Sequence, residues 1–187
     1  MQANAREIWL LNFYRNSELH GALLMGRLAR SYRDAELVTN LSHHCSTEAR
    51  HAAMLAEALA ELDAPVDPDV GTIQAHYGDA GGIPTALTDL LVLSEVLEKR
   101  VLASYRTHLA RTDVSATTRR TLESIVHEME MEEDGTDPHA GWIDRTLDDM
   151  PPDEVRRAKA RWREVDAQVA AGLQRQIDER FAMESRS

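Results

Sequence analysis

The sequence predicts an all-helical protein: a four-helix bundle of two antiparallel hairpins joined by a long crossover, followed by a fifth helix. Ala, Leu, Arg, Glu and Met are abundant and Phe is scarce, which favours helix over strand. Apolar residues recur at helical spacing in five segments, and Pro or Gly stands in two of the four gaps between them. The 187 residues suit a single domain over residues 1–187, with the bundle at about 5–148 and the last helix at about 152–184.

The first hairpin is predicted from two amphipathic segments on either side of a short turn. Apolar residues share one side of the first segment, which runs from about Ala5 to about Arg30. Asp34 suits the N-cap of the second helix, which continues to about Asp63 and ends before Pro65. Because the turn is short, we expect the two helices to be antiparallel neighbours.

The second hairpin follows a segment rich in helix breakers. Residues 64–83 contain four Gly and two Pro, so we predict a long connection there. Pro84 suits the first position of the third helix, which is predicted to run to about Arg111. Asp113 is then the predicted N-cap of the fourth helix. Residues 135–138 are expected to interrupt that helix, since Asp followed by Pro commonly starts a new one.

The last helix is predicted to begin near Pro152 and to run to about Met183. Arg and Glu interrupt its apolar side repeatedly, so we expect it to pack on the outside of the bundle. Two hairpins joined by a long crossover are the layout of one class of four-helix bundle.

Charge and cysteine content narrow the classes of function. There are 21 Lys and Arg against 32 Asp and Glu, a formal net charge of −11, which argues against a nucleic-acid partner. Cys45 is the single cysteine, so an internal disulfide and an all-cysteine zinc or iron site are excluded. We expect neither a signal peptide nor a membrane span, because no run approaches the ~20 apolar residues needed. A cytoplasmic location is the default expectation.

Polar side chains fall on the apolar sides of the first two helices. Glu18 lies on that side of the first helix, and Glu48 and His51 lie on that side of the second. Glu48 and His51 form a Glu-x-x-His pair, one turn apart on one face. Burying an unpaired carboxylate is costly, so inward Glu residues imply protons, partners or metal. His44, one turn before Glu48, is interpreted as a surface or satisfied core residue.

The spacing of the glutamates indicates a common site. Glu18 and Glu48 each lie 15 residues from the first turn, and Glu98 and Glu128 each lie 15 residues from the second. At ~1.5 Å per residue, both members of a pair stand ~22 Å from their turn and should face each other. Carboxylate oxygens with an imidazole suit iron or manganese better than structural zinc. We therefore predict a metal site from these four glutamates and His51, with metal-free buried carboxylates as the competing interpretation.

These residues resemble a known superfamily. The segments YRNSELHGALL, STEARHAAML, LSEVLEKRVLASY and LESIVHEMEMEED, spread over about residues 5–145, are similar to the ligand-bearing helices of ferritin-like di-iron carboxylate proteins. The layout is nearest to rubrerythrin-type proteins and small bacterial ferritin-like oxygenases. The resemblance implies a ferritin-like four-helix bundle around two metal ions.

The resemblance also implies roles for the ligands. Glu18 and Glu98 would be terminal ligands on opposite metals, and Glu48 and Glu128 would bridge them. His51 would be a nitrogen ligand. Glu95, one turn before Glu98, resembles the extra glutamate that some rubrerythrin-type sites carry.

The fourth helix departs from the pattern of the superfamily. A histidine is expected three residues after Glu128, and Met131 stands there. Glu132, one turn beyond Glu128, is one candidate for the missing ligand. His139 is another, because HAGWI resembles the superfamily's His-x-x-Trp ending, displaced by about two turns. In a continuous helix His139 would lie ~10 Å too far along, so it reaches the site only if residues 135–138 fold back.

By this resemblance the cofactor would be di-iron, or a manganese–iron pair, reacting with O2 or peroxide. An oxygenase or oxidase acting on a small molecule is favoured; a rubrerythrin-like peroxidase, iron storage or ferroxidase activity, and a partner-binding bundle are the alternatives. The single cysteine leaves no room for a rubredoxin centre, so electrons would come from an external donor. No nucleic-acid or membrane partner is expected, and a homodimer is compatible with the layout.

Overall fold

The computed structural model describes residues 3–133 and 141–182, and within these ranges every regular element is helical. The elements are α1 (Ala5–Ala29), α2 (Ala35–Glu61), a 3₁₀ turn (Pro68–Val70), α3 (Ile73–Gly81), α4 (Leu87–Leu109), α5 (Ala116–Glu133), α6 (Trp142–Asp148) and α7 (Pro152–Phe181). The all-helical class predicted from the sequence is therefore confirmed. Within the described ranges, no helix is both long and apolar enough to cross a membrane.

The first hairpin has the predicted boundaries. Asp34 is the N-cap of α2, and its side chain accepts a hydrogen bond of 2.8 Å from the Leu37 backbone N–H. Asn4 caps α1 in the same way, by accepting from the backbone N–H of Glu7. α1 and α2 contact each other along their length. This contact sets Glu18, Glu48 and His51 on facing helices.

The long connection predicted over residues 64–83 contains a short helix, α3, that was not predicted. The Thr72 side chain caps α3 by accepting a 3.2 Å hydrogen bond from the Ala75 backbone N–H. Ile73 and Tyr77, one turn apart, are buried against the core. The four glycines of this segment lower its helix propensity, so the sequence pattern did not indicate α3. The Thr72 cap and the two buried side chains stabilise the short helix instead.

Two predicted helix starts also need correction. α4 begins at Leu87, three residues after Pro84, because α3 ends only at Gly81 and the residues between them form the connection. Asp113 does not cap α5; it is held in an ion pair with Arg111. The cap is Ser115, whose hydroxyl oxygen accepts a 3.2 Å hydrogen bond from the Thr118 backbone N–H. The predicted interruption at residues 135–138 lies outside the described residues.

α7 covers α3 and α4 with one continuous apolar face. Its buried residues recur every three or four positions: Ala158, Trp162, Val165, Val169, Leu173, Ile177 and Phe181. Trp162 is fully buried, and its indole N–H donates a 3.0 Å hydrogen bond to Asp89 at the start of α4. Arg100 of α4 pairs with Asp166 of α7 through two hydrogen bonds of 2.6 and 2.8 Å. This packing holds α4 in place beside the candidate centre.

Candidate metal centre

A cavity of about 370 Å³ lies among α1, α2 and α4, with α6 against it. Seven of its lining residues carry carboxylate or imidazole groups: Glu18, His44, Glu48, His51, Glu95, Glu98 and Asp144. Five of these seven were predicted site residues, and His44 and Asp144 are the additions. The rest of the wall is largely apolar. The predicted residues of α1, α2 and α4 therefore share one cavity.

His51 stands between two carboxylates from different helices. Its Nδ1 lies 3.5 Å from Glu18 Oε2, and its Nε2 lies 3.1 Å from Glu128 Oε2. His51 is 3% exposed and Glu18 is 7% exposed, so both are withdrawn from water. Burial alone would lower the pKa of His51, but the hydrogen bonds and charges of Glu18 and Glu128 raise it above its ordinary value. The two carboxylates therefore favour the protonated form of this buried imidazole.

His44 also lies between two carboxylates, those of Glu48 and Glu98. Its Nε2 lies 3.3 Å from Glu48 Oε1 and 3.4 Å from Glu98 Oε1, and its side chain is 9% exposed. The ring of Trp142 lies edge-on to the imidazole, with 6.1 Å between ring centroids. The interpretation of His44 as a surface or merely satisfied residue missed its place in the cavity. The available signal was its position one turn before Glu48, on the same face of α2.

Tyr105 of α4 fixes the other oxygen of Glu18. Its hydroxyl donates a hydrogen bond to Glu18 Oε1, and the residue is fully buried. Burial and the nearby Glu18 charge raise the pKa of Tyr105 well above its ordinary value, so the phenol stays protonated and remains a donor. Tyr14 supports the ring edge-on, with 4.7 Å between centroids. Nothing in the sequence of α4 indicates this hydrogen bond.

Glu48 lies directly against the backbone of α1 at Gly21. A methyl group at Gly21 would overlap the Glu48 carboxylate, so the glycine leaves the space that the carboxylate fills. Burial raises the pKa of Glu48, and the neighbouring His44 opposes this shift. Glu48 Oε2 is buried and has no hydrogen-bond partner within the described residues. A buried carboxylate oxygen left in this way is an acceptor for a proton or a cation.

Glu128 and Glu95 have cationic partners of their own. Glu128, at the edge of the centre, pairs with Arg50 as well as His51; burial would raise its pKa, but these partners lower it below its ordinary value. Glu95 contacts Lys99 at 2.5 Å and Lys159 at 3.2 Å. These two lysines outweigh burial and lower the pKa of Glu95 in the same way. Glu95 thus lines the cavity as part of an ion-pair group, not as an unpaired carboxylate.

The donor set fits a hard divalent cation, although its members now pair with one another. As the side chains stand, no group of three or more His, Cys, Asp or Glu residues in the described ranges has the arrangement of a metal-binding set. Each histidine instead occupies the space between two carboxylates. Four carboxylates, two imidazoles and the unpartnered Glu48 oxygen are the donor types that iron and manganese bind.

Two predicted ligands cannot be placed. The side chain of Glu132 and the whole of His139 lie outside the described residues. Comparison of the chain with protein-family models, with curated proteins and with solved structures finds no match.

Proposed function

We propose that the protein is a ferritin-like di-metal protein, with iron as the metal, that activates O2 to oxidise a small molecule. In this proposal α1, α2, α4 and α5 are the four helices of the bundle. The observation that carries it is the pair of buried imidazoles, His44 and His51, each between carboxylates of two different helices at the wall of one cavity. A structural ion pair needs no cavity of this kind beside it.

The residues of the chain would hold and orient the ions. Glu18, Glu48 and His51 would bind them from the first hairpin, and Glu98 and Glu128 from the second. Tyr105 would fix the orientation of Glu18, as hydrogen bonds to metal-binding carboxylates commonly do. A bound iron pair would supply the electrons and open positions needed to reduce O2 or peroxide. The buried surroundings would keep bulk water from the centre.

The wall of the cavity supports a substrate with an apolar body. Its apolar lining comes from α1, α4, α5 and α6: Leu24, Met25, Leu97, Val101, Leu102, Met129, Trp142 and Ile143. A volume of about 370 Å³ is within the range of small-molecule sites. Iron storage would need no apolar pocket of this size beside the metal. The apolar wall therefore favours an oxygenase or oxidase over storage.

Oxygen uptake by the ferrous protein tests this function. Full-length protein loaded with Fe²⁺ without air should consume O2 when air is admitted, faster than free Fe²⁺ in the same buffer. Glu48→Ala should remove this activity, because it deletes a carboxylate shared by the whole centre. Glu57→Ala, on the exposed side of the same helix, is the matched control and should keep it.

The same loaded protein should then be given hydrogen peroxide in place of O2. Consumption of peroxide without consumption of O2 would replace the oxygenase with a peroxidase. Consumption of neither would overturn the proposal of an O2- or peroxide-dependent enzyme.

A further inference from the structure

We infer that His44 is the second nitrogen ligand of the centre and that it binds one metal ion together with Glu48 and Glu98. The inference rests on the proposed metal centre and answers a question that the sequence leaves open, because Met131 stands where a fourth-helix histidine is expected. The nitrogen would come instead from α2, the helix that already supplies Glu48 and His51. Helix α2 would then provide a nitrogen ligand to each of the two ions.

The spacing of the donor atoms carries the assignment. Donors that lie about 2.1 Å from one ion stand about 3.0 Å apart at a right angle and about 3.4 Å apart at a tetrahedral angle. His44 Nε2 lies 3.3 Å from Glu48 Oε1 and 3.4 Å from Glu98 Oε1. Both separations are those of neighbouring ligands on one ion. The three side chains as they stand do not form a metal-binding set, so Glu48 and Glu98 would have to turn toward the ion when it binds.

The second oxygen of Glu48 gives independent support. Glu48 Oε2 is buried without a hydrogen-bond partner in the described part of the chain. Gly21 provides the room in which this carboxylate lies. With Oε1 beside His44 and Oε2 unpartnered, Glu48 has one oxygen for the His44 ion and one for the ion of His51.

The surroundings of His44 also suit a ligand. Its side chain is 9% exposed, and the edge of Trp142 packs against the ring, which restricts the imidazole to a narrow range of orientations. Two other acidic residues of the cavity already have cationic partners: Glu95 contacts Lys99 and Lys159, and Asp144 lies 3.8 Å from Lys159. Among the described residues at this end of the cavity, His44 is the group best placed to complete the second set.

Cobalt titration of the metal-free, full-length protein tests the assignment without depending on enzyme activity. The natural protein should bind two Co²⁺ ions per chain. His44→Gln should bind one, or bind the second at least ~100-fold more weakly, because a ligand has been lost. His43→Gln, the neighbouring and exposed histidine, is the matched control and should still bind two. Circular dichroism checks that each variant keeps its helix content.

Glu98→Gln is the second variant, chosen because its side chain is 39% exposed and should tolerate the change. It should also lose one ion. Two ions bound with unchanged affinity by both variants would overturn the assignment. One ion in the natural protein would overturn it too while leaving a metal centre at His51, whereas no bound ion would overturn the proposed function as well.

Discussion

Gly21 is the residue that brings the backbone of α1 against the Glu48 carboxylate. A helix interior usually disfavours glycine, which costs roughly 0.5–1 kcal/mol relative to alanine. Here the missing methyl group leaves the volume that the carboxylate of α2 fills. Gly21 therefore lowers the stability of α1 slightly, but it leaves the space in which the proposed ligand Glu48 lies.

Gly21→Ala should separate stability from metal binding. The added methyl group displaces Glu48, whose flexible side chain can turn aside, so we expect the unfolding free energy to stay within about 1 kcal/mol of the natural value. Metal affinity should fall about tenfold or more, because the carboxylate has left its place. Thermal unfolding and Co²⁺ titration measure the two effects.

Gly172→Ala in α7 is the matched control, since its added methyl group meets no close neighbour in the described structure. Gly172→Ala should be more stable than the natural protein by roughly 0.5–1 kcal/mol, the helix-propensity difference between glycine and alanine. It should bind metal with the affinity of the natural protein. A Gly21→Ala protein that binds Co²⁺ as tightly as this control would show that the position of Glu48 is irrelevant to binding.

Predictions about single residues were correct where the apolar pattern of one helix was sufficient to make them. Glu18 and His51 could be predicted to be buried because each falls on the apolar side of its own helix. The hydrogen bond of Tyr105 to Glu18 depends on a contact with another helix, and a periodicity within one segment carries no information about such contacts. His44 was missed although it lies one turn before Glu48 on the same face of α2. That the predicted residues bind metal stays a prediction.

Where helix α4 contacts helix α1, it buries a further imidazole, that of His108, away from the cavity. His108 of α4 is 4% exposed, packs against Tyr14 with 5.9 Å between ring centroids, and has no hydrogen-bond partner at Nδ1 in the described residues. Burial is the main cause that lowers the pKa of His108 from 6.5 to about 4. Arg6 and Arg111 lower it further, while Glu7 and Asp113 oppose them.

This contact should weaken in mild acid. In the unfolded chain His108 takes up a proton below its ordinary pKa of 6.5, whereas in the folded protein it stays neutral down to about 4. The contribution of the neutral, buried His108 to the unfolding free energy is therefore complete above pH 6.5 and is lost as the pH falls toward 4. Between about pH 7 and about pH 5 we expect a loss on the order of 2 kcal/mol from this residue.

Urea unfolding of the natural protein and of His108→Gln at the two pH values measures this loss. A glutamine side chain carries no charge at either pH, so the variant should lose less stability in acid than the natural protein does. His20→Gln, on the exposed side of α1, is the matched control. Equal acid sensitivity in the natural protein and in His108→Gln would contradict the role assigned to His108.

Helix boundaries were predictable where strong periodicity coincided with a cap. α2 begins after Asp34, as expected, and α7 begins at Pro152. α3 was missed because glycine content outweighed the weaker signal of Thr72 before a short apolar pattern. The start of α5 was misplaced because Asp113 and Ser115 are both good caps, and only the structure shows that Arg111 engages the first of them.

At the scale of the whole molecule, the all-helical class followed from residue composition and from apolar spacing in five long segments. The arrangement of those helices as a ferritin-like bundle depends on long-range packing and stays a proposal. The formal charge of −11 suits the same proposal, because it counts carboxylates and omits any cations bound among them. Four of those carboxylates lie around two imidazoles at a single cavity.

The amount of metal in the isolated protein tests the central claim most directly. Full-length protein purified from cells supplied with iron should contain about two iron or manganese ions per chain by elemental analysis, since the proposed centre has two sets of ligands. Glu48→Ala, purified in the same way, should contain close to none. A natural protein that contains neither metal, although correctly folded, would contradict the account.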